Sequence, residues 1–136
     1  MKLRVFIIVC LLSINGVFAE PVANISQPQI APPITQPQNI AFENCTKMFA
    51  VNKEKLFYLT LGAISANRFE VDEIQTINGY IIFTAAKNKY LATVSGIDSA
   101  NSILKITPCN NIYFFPPGIL INMYKYIDLN LNTEIK

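Results

Sequence analysis

The segment QTINGYIIFTAAKNKYLATV, residues 75–94, decides the fold class because two tight-turn signals separate three runs with strand character. Asn78-Gly79 is typical of a type I′ hairpin turn, in which both central residues have positive φ. Lys87-Asn88 predicts a second two-residue turn. The segment therefore predicts consecutive antiparallel strands.

Outside this segment the apolar period changes to that of helices. Asn52 is a good N-cap for a helix, and Pro116-Pro117-Gly118 marks the start of another. Residues 46–51 are predicted as a short helical turn or as an extension of the first helix. We expect an α+β fold, with a four-stranded antiparallel sheet flanked by an N-terminal and a C-terminal helix. The predicted elements are a helix at 53–66, strands at 69–77, 80–86, 89–95 and 102–107, and a helix from 118 to about 129.

The two predicted turns pair Phe83 with Ile74 on one side and with Ala92 on the other, which divides the side chains between two faces. The face expected under the helices carries Ile74, Ile81, Phe83, Ala85, Tyr90, Ala92 and Val94. The opposite face carries Val71, Glu73, Gln75, Ile77, Tyr80, Ile82, Thr84, Lys89, Leu91 and Thr93. This second face is too apolar for a purely solvated surface and too polar for a sealed core. The predicted partner-binding residues on it are Ile77, Tyr80, Ile82 and Leu91. The alternative is a half-wet face with ordinary scattered hydrophobic residues.

The first 19 residues have the pattern of a secretory signal peptide. Two positive charges in residues 1–4 precede an apolar run at 5–14, and Val17 and Ala19 are the small residues of a cleavage site after Ala19. The apolar run is too short to span a bilayer, which takes about 18 residues. We therefore expect an exported protein, located in the periplasm, at the cell surface or in the medium, with no transmembrane span after cleavage.

Residues 20–39 form a proline-rich linker that contains five of the eight prolines. Proline lacks an amide donor and favours extended geometry, which predicts a semi-rigid spacer. The alternative is a docking segment for a proline-binding module. Residues 40–136 then form one small domain.

Charge and composition exclude several functions. Of eleven Lys and Arg residues two lie in the signal, so the mature chain has nine basic and nine acidic residues, and a nucleic-acid partner is not expected. The chain has no histidine, the commonest general base and a usual zinc ligand. Glu70, Asp72 and Glu73 form an acidic cluster that would permit paired acid and base chemistry or calcium binding, but no matching loop accompanies it. We expect no enzyme activity, no cofactor and no metal.

Two cysteines remain after the signal is removed. Cys45 and Cys109 form an even pair in an oxidising compartment, which predicts a disulfide closing a loop of about 64 residues. The alternative is two unpaired, small apolar side chains.

The predicted C-terminal helix, GILINMYKYIDL, is apolar around most of its circumference. A helix of this kind needs more than one covering surface. Packing on the sheet and the first helix is one explanation, and a surface for a partner or for lipid is the other.

The layout of LFYLTLGAISANRFEVDEIQTINGYIIFTA (56–85), followed by YLATV (90–94) and SILKITP (102–108), resembles the small helix-grip domains of bacterial envelope lipoproteins, including those of the outer-membrane assembly machinery. The resemblance covers residues 53–129. It implies a domain that binds or scaffolds other envelope components and is not an enzyme. The leading hypothesis is thus a binding or scaffolding domain of the cell envelope, and the alternative is a carrier of a small apolar ligand or lipid between the sheet and the C-terminal helix.

Overall fold

The computed structural model describes residues 34–135. The predicted signal peptide and residues 20–33 of the predicted linker lie outside the described residues. The fold is α+β, as predicted, with two helices and a main antiparallel sheet. That sheet has five strands and not four, because the segment predicted as a helical turn forms an additional strand. In chain order the elements are β1 (Gln38–Asn39), a 3-10 helix (Phe42–Cys45), β2 (Thr46–Phe49), α1 (Lys53–Ala66), β3 (Glu70–Gln75), β4 (Tyr80–Ala85), β5 (Asn88–Gly96), β6 (Ser102–Pro108), β7 (Phe114–Phe115) and α2 (Gly118–Asn130).

Helix α1 has the predicted bounds, and both of its ends are capped. The Asn52 side chain accepts a hydrogen bond from the Lys55 amide at 2.8 Å, which satisfies one of the free amides of the first turn. At the other end Arg68 adopts a φ of 59°, and the amide of Phe69 donates to the Ile64 carbonyl at 3.0 Å. This is the bonding pattern of a Schellman motif, which turns the chain sharply into β3.

The five strands lie in the order β2-β6-β5-β4-β3. Strands β3 to β6 form a meander, and β2 pairs with β6 at the far edge. In β2 the side chains alternate: Phe49 is buried in the core, whereas Met48 on the other side is 61% exposed. Lys47 reaches Asp128 of α2 and so ties this edge strand to the helix layer. The alternation and the pairing with β6 explain why the segment is a strand.

Both tight turns differ from the prediction. Gln75 pairs with Tyr80, so a four-residue connection replaces the predicted two-residue turn, and its last residue, Gly79, has a φ of 73°. The next connection is a two-residue turn at Ala86 and Lys87, with φ values of 48° and 67°. Positive φ at both central residues is the geometry of a type I′ turn. A two-residue turn was predicted for this connection, but it lies one residue earlier than expected.

These turns change the register without exchanging the faces. Phe83 pairs with Tyr90 and not with Ala92. The slip equals two residues, and because side chains alternate with a period of two, each central residue keeps its predicted side. Six of the seven residues predicted to face the helices are buried: Ile81, Phe83, Ala85, Tyr90, Ala92 and Val94. The seventh, Ile74, is 44% exposed because it lies on the edge strand β3.

The core lies between the helices and one face of the sheet. An aromatic stack crosses it, with ring centroids 5.6 Å apart between Phe83 and Tyr90 and 5.2 Å apart between Tyr90 and Phe115. Helix α2 buries its Ile119, Met123 and Ile127 side chains completely. The apolar circumference of α2 is therefore explained mainly by packing in the core.

A small two-stranded ribbon joins the predicted linker to the domain. Gln38 and Asn39 of β1 pair with Phe115 and Phe114 of β7. Farther upstream, a Cβ atom added to Gly118 would lie 3.3 Å from the Ile34 Cα atom, so the chain passes close to the first turn of α2. The last residues of the predicted linker thus belong to the folded unit.

Candidate functional site

The candidate site is the face of the main sheet that points away from α1 and α2, named here the open face. Its side chains are half-buried or exposed, in contrast to the sealed core on the other side. Ile82 and Leu91 face each other across β4 and β5 at its centre, and the ring of Tyr80, two residues before Ile82 on β4, extends this apolar strip. Ile103 of β6 lies apart from the strip, opposite Ser95. Cross-strand pairs of this type stabilise the sheet and also leave an apolar surface. The open face consists of Thr46, Met48, Glu70, Glu73, Gln75, Tyr80, Ile82, Thr84, Lys89, Leu91, Thr93, Ser95, Ile103, Lys105 and Thr107.

Carboxylates line the β3 side of the open face. The Tyr80 hydroxyl donates a hydrogen bond to Oε1 of Glu73 at 2.8 Å, and the Gln75 side-chain amide donates to the same atom at 3.3 Å. The carboxylate raises the pKa of Tyr80, chiefly because the hydrogen bond favours the neutral phenol. Glu73 is exposed, so its carboxylate remains accessible to a partner.

Asp72 reaches the same side through a bulge in β3. The register with β4 shifts between Val71 and Glu73, which leaves Asp72 as the additional residue. Its carboxylate accepts a hydrogen bond from the Thr84 hydroxyl at 2.7 Å and lies 3.3 Å from Nζ of Lys89. The pKa of Asp72 is lowered, first by the Thr84 hydrogen bond and then by Lys89. The Lys89 charge is therefore neutralised within the molecule.

The bulge corrects one prediction. Val71 was expected on the open face, but it pairs with Phe83 and packs against the core. A bulge adds one residue to a strand, so side chains on its two sides change their alternation. Val71 and Glu73 therefore lie on opposite faces, although their spacing is two.

The opposite side of the open face is basic. Nζ of Lys105 on β6 lies 4.7 Å from the centroid of the Phe42 ring, which is half exposed. Such a contact orients an exposed lysine but leaves its charge available. Within residues 34–135 no carboxylate lies within salt-bridge distance of Lys105. The open face thus has a carboxylate side at β3 and a free lysine on β6.

The structure brings together three of the four predicted binding residues. Tyr80, Ile82 and Leu91 lie on the open face and are half-buried. The fourth, Ile77, lies in the connection from β3 to β4, at one end of that face, and is 90% exposed. It is the most exposed large hydrophobic residue in the described part of the chain.

Sequence reasoning missed Met48, Ile103 and Lys105 on the same face. Met48 was missed because β2 was not recognised as a strand. Ile103 and Lys105 alternate with the buried Leu104 and Ile106, and this period of two was the signal that could have placed them on the open face.

The predicted disulfide is not present. Cys45 and Cys109 are free thiols, Cys45 buried beside β2 and Cys109 exposed after β6. Their surroundings differ: Lys105 and Glu43 are the charges near Cys45, whereas Lys89 and Asp72 are those near Cys109. A disulfide requires Cα atoms within about 7 Å, and two thiols at such different places do not meet this condition. Burial raises the pKa of both thiols.

The acidic cluster does not form a joint site. Asp72 is bonded to Thr84 and Lys89, whereas Glu73 is bonded to Tyr80 and Gln75. Among residues 34–135 no group of three or more His, Cys, Asp or Glu side chains could hold a metal ion. The carboxylates therefore serve as polar partners at the margin of the open face.

A groove of about 360 Å³ lies at the β2 edge of the sheet, between β2 and the first turns of α2. Leu120, Ile121 and Tyr124 line it on the helix side, and Glu43 and Lys47 are on the opposite wall.

Neither helix of the described chain is long and apolar enough to cross a membrane.

No protein-family model matches the sequence, and no curated protein matches it significantly.

Proposed function

We propose that this protein is a non-enzymatic binding or scaffolding domain that contacts another protein through the open face. The observation that carries the proposal is the half-buried apolar strip of Ile82, Leu91 and the neighbouring Tyr80 ring on the inner strands of a five-stranded sheet. On the opposite face, the side chains of the central strands β4, β5 and β6 are buried under the helices. A contiguous apolar surface with a polar margin is the usual composition of a protein interface.

The margin of the open face supplies the polar half of such an interface. Tyr80 has an apolar ring and a hydroxyl already bonded to Glu73, and tyrosine is enriched at binding surfaces for this combination. Thr84 and Asp72 are likewise paired within the molecule. Because these polar groups hold their positions before binding, a partner would order few additional side chains.

The proposed place of action is outside the cytoplasm, in the cell envelope. This part of the proposal rests on the signal pattern in residues 1–19 and on the envelope domains that the layout of residues 53–129 resembles. The lack of histidine supports a role without catalysis.

The alternative of an apolar-ligand carrier has less support. The predicted ligand space lies between the sheet and α2, where Ile119, Met123 and Ile127 are completely buried. These side chains and the aromatic stack of Tyr90 and Phe115 all belong to the packed core that occupies this space. A carrier would have to open this packed layer, at the cost of its dispersion contacts.

The test compares two variants with the same chemical change on opposite sides of the molecule. Ile82→Lys places a charge in the apolar strip, where binding would have to desolvate it. Ile121→Lys places the same charge on α2, at a residue that is 57% exposed. The complete chain and both variants are immobilised, envelope extract is passed over them, and each captured protein is purified and its binding measured again by calorimetry.

We expect Ile82→Lys to bind the purified partner with an affinity at least tenfold lower than wild type. Ile121→Lys should bind it with unchanged affinity. Equal binding by both variants would overturn the assignment of the open face. Lipid extracted with organic solvent from the purified protein, at one molecule per chain, would instead support the carrier.

A further inference from the structure

We infer that the partner on the open face is a second copy of this chain, related by a twofold axis that runs parallel to β5 and directly over it. This inference rests on the proposed function, because it takes the open face as a protein-binding surface. Since β5 is the central strand of the sheet, such an axis places β5 over its counterpart, β4 over β6, and β3 over β2. The same surface is used twice, as in most homodimers.

Charge complementarity is the first argument for this pairing. Tyr80, Thr93 and Lys105 lie in one cross-strand row on β4, β5 and β6. The twofold axis therefore places Lys105 of one copy over Tyr80 of the other, whose hydroxyl is hydrogen-bonded to Glu73. The free lysine meets the exposed carboxylate, and the symmetry forms this contact twice. Complementary charges of this kind fix the register of an interface.

The two most exposed apolar side chains near the open face supply the second, independent argument. Met48 and Ile103 form a pair at one end of the sheet, and Ser95 opposes Ile103 on β5. The β3 to β4 connection with Ile77 closes the same end, because the amide of Val94 donates a hydrogen bond to the Gly79 carbonyl at 2.7 Å. The axis brings Met48 of one copy, 61% exposed, over the connection that holds Ile77 of the other, 90% exposed. Both side chains then leave water.

A twofold axis in the plane of the interface but perpendicular to the strands would not bring opposite charges together. It would place β3 over β3 and β6 over β6, so that the carboxylate side of one open face lies over the carboxylate side of the other. Like charges across an interface are unfavourable. The axis parallel to β5 is thus preferred, and Lys89 near it is already neutralised by Asp72 at 3.3 Å.

The size of the face predicts a weak, concentration-dependent dimer. Strands about 4.8 Å apart, with a rise of about 3.4 Å per residue, give five strands a face of roughly 20 by 20 Å. Two such faces bury on the order of 1,000 Å² in total, which is below the standard size of stable interfaces. We expect a dissociation constant in the micromolar range.

The experiment is sedimentation equilibrium of the protein produced from the complete sequence, from about 1 μM to about 1 mM. We expect wild type to change from monomer to dimer across this range. Glu73→Lys and Lys105→Glu each place like charges at both symmetric contacts, and each variant alone should dimerise at least tenfold more weakly. Both residues are exposed, and thermal unfolding of each variant checks that the fold is retained.

Mixing the two variants is the decisive measurement. In the mixed dimer, the lysine introduced at position 73 of one copy faces the glutamate introduced at position 105 of the other. At the second contact the native Lys105 faces the native Glu73, so the affinity should return to within about threefold of wild type. A partner protein other than a second copy would not produce this rescue.

Two outcomes would overturn the inference. One is a wild type that is still monomeric at 1 mM, and the other is a mixture that dimerises no better than either variant alone. If wild type is monomeric but Ile82→Lys binds a partner purified from the extract more weakly, the inference of a second copy is wrong and the proposed function holds. If Ile82→Lys changes neither the dimer nor any captured partner, the open face itself is wrong.

Discussion

Ile82 and Phe83 are consecutive residues of β4, but their side chains lie on opposite sides of the sheet. Ile82 faces Leu91 on the open face, whereas Phe83 is completely buried and lies with its ring between those of Phe69 and Tyr90, at centroid distances of 5.8 and 5.6 Å. A single step along the chain thus separates the surface proposed for binding from the centre of the core.

Phe83→Ala should lower the free energy of unfolding by about 3 to 5 kcal/mol, because the cavity left in the aromatic stack cannot be filled by its neighbours. Ile82→Lys should lower it by less than about 1 kcal/mol, since the lysine stem can lie along the open face with its charge in water. Urea unfolding midpoints measure both values. Equal destabilisation by the two changes would mean that both faces of the sheet are buried.

The cysteines should react with an alkylating reagent without prior reduction. We expect the exposed Cys109 to be modified in the native protein and the buried Cys45 only after unfolding. Native labelling of Cys109 should be slow at pH 7, because burial raises the pKa of its thiol and the thiolate is the reactive form. Mass spectrometry of the labelled peptides gives both rates. A requirement for reductant in the unfolded protein would show that the two thiols are bonded after all.

Ionisation of Tyr90 should lower the free energy of unfolding in alkaline solution. Burial raises its pKa from the ordinary value of 10.0 to about 12, so the folded state retains a proton that the unfolded state releases. The stability due to the neutral phenol is complete below pH 10 and is lost as the pH rises toward 12. Tyr90→Phe should remove the part of the loss that is due to Tyr90 and leave the part due to Tyr124, whose pKa is also raised by burial. Unfolding midpoints of wild type and variant between about pH 8 and about pH 12 measure the difference.

The same substitution has an expected effect at neutral pH. Within residues 34–135 the Tyr90 hydroxyl is buried without a hydrogen-bond partner, a state that costs about 1 to 3 kcal/mol. Tyr90→Phe should therefore be neutral or stabilising at pH 7. A clear destabilisation would indicate that the hydroxyl has a bonding partner, such as a buried water molecule.

Asp72 should stabilise the fold above about pH 4, near its pKa in the unfolded chain, and lose this effect as the pH falls through its lowered folded pKa. Thr84→Val should raise the folded pKa more than Lys89→Met, because the hydrogen bond from Thr84 is the larger cause. Carboxyl titration by NMR measures both shifts. The reverse order would show that the charge of Lys89 controls this carboxylate.

The central strands could be predicted because their side chains alternate strongly. Phe83, Tyr90 and Val94 were assigned to the core although both turns were placed incorrectly, since a register slip of two residues leaves every side chain on its face. The first helix could be predicted from its N-cap and its apolar period.

Strand β2 could not be recognised in the same way. It has four residues, and its partner β6 lies more than fifty residues farther along the chain. Its alternation of Met48 and Phe49 is too short to separate a strand from a helical turn. The bulge at Asp72 was equally hidden, because nothing in the alternation of β3 marks the additional residue. Met48 was missed because of the first feature, and Val71 was assigned to the wrong face because of the second.

The bulge in β3 also bears on how the protein avoids aggregation. Strand β3 is an edge strand, and an unprotected edge can pair with the edge of another molecule. The interrupted ladder at Asp72, together with the charges of Glu70 and Glu73 on either side, prevents a regular run of pairing along this edge. The other edge, β2, is only four residues long. Fibrillar growth of the sheet is thus blocked at one edge by a bulge with charge and limited at the other by length.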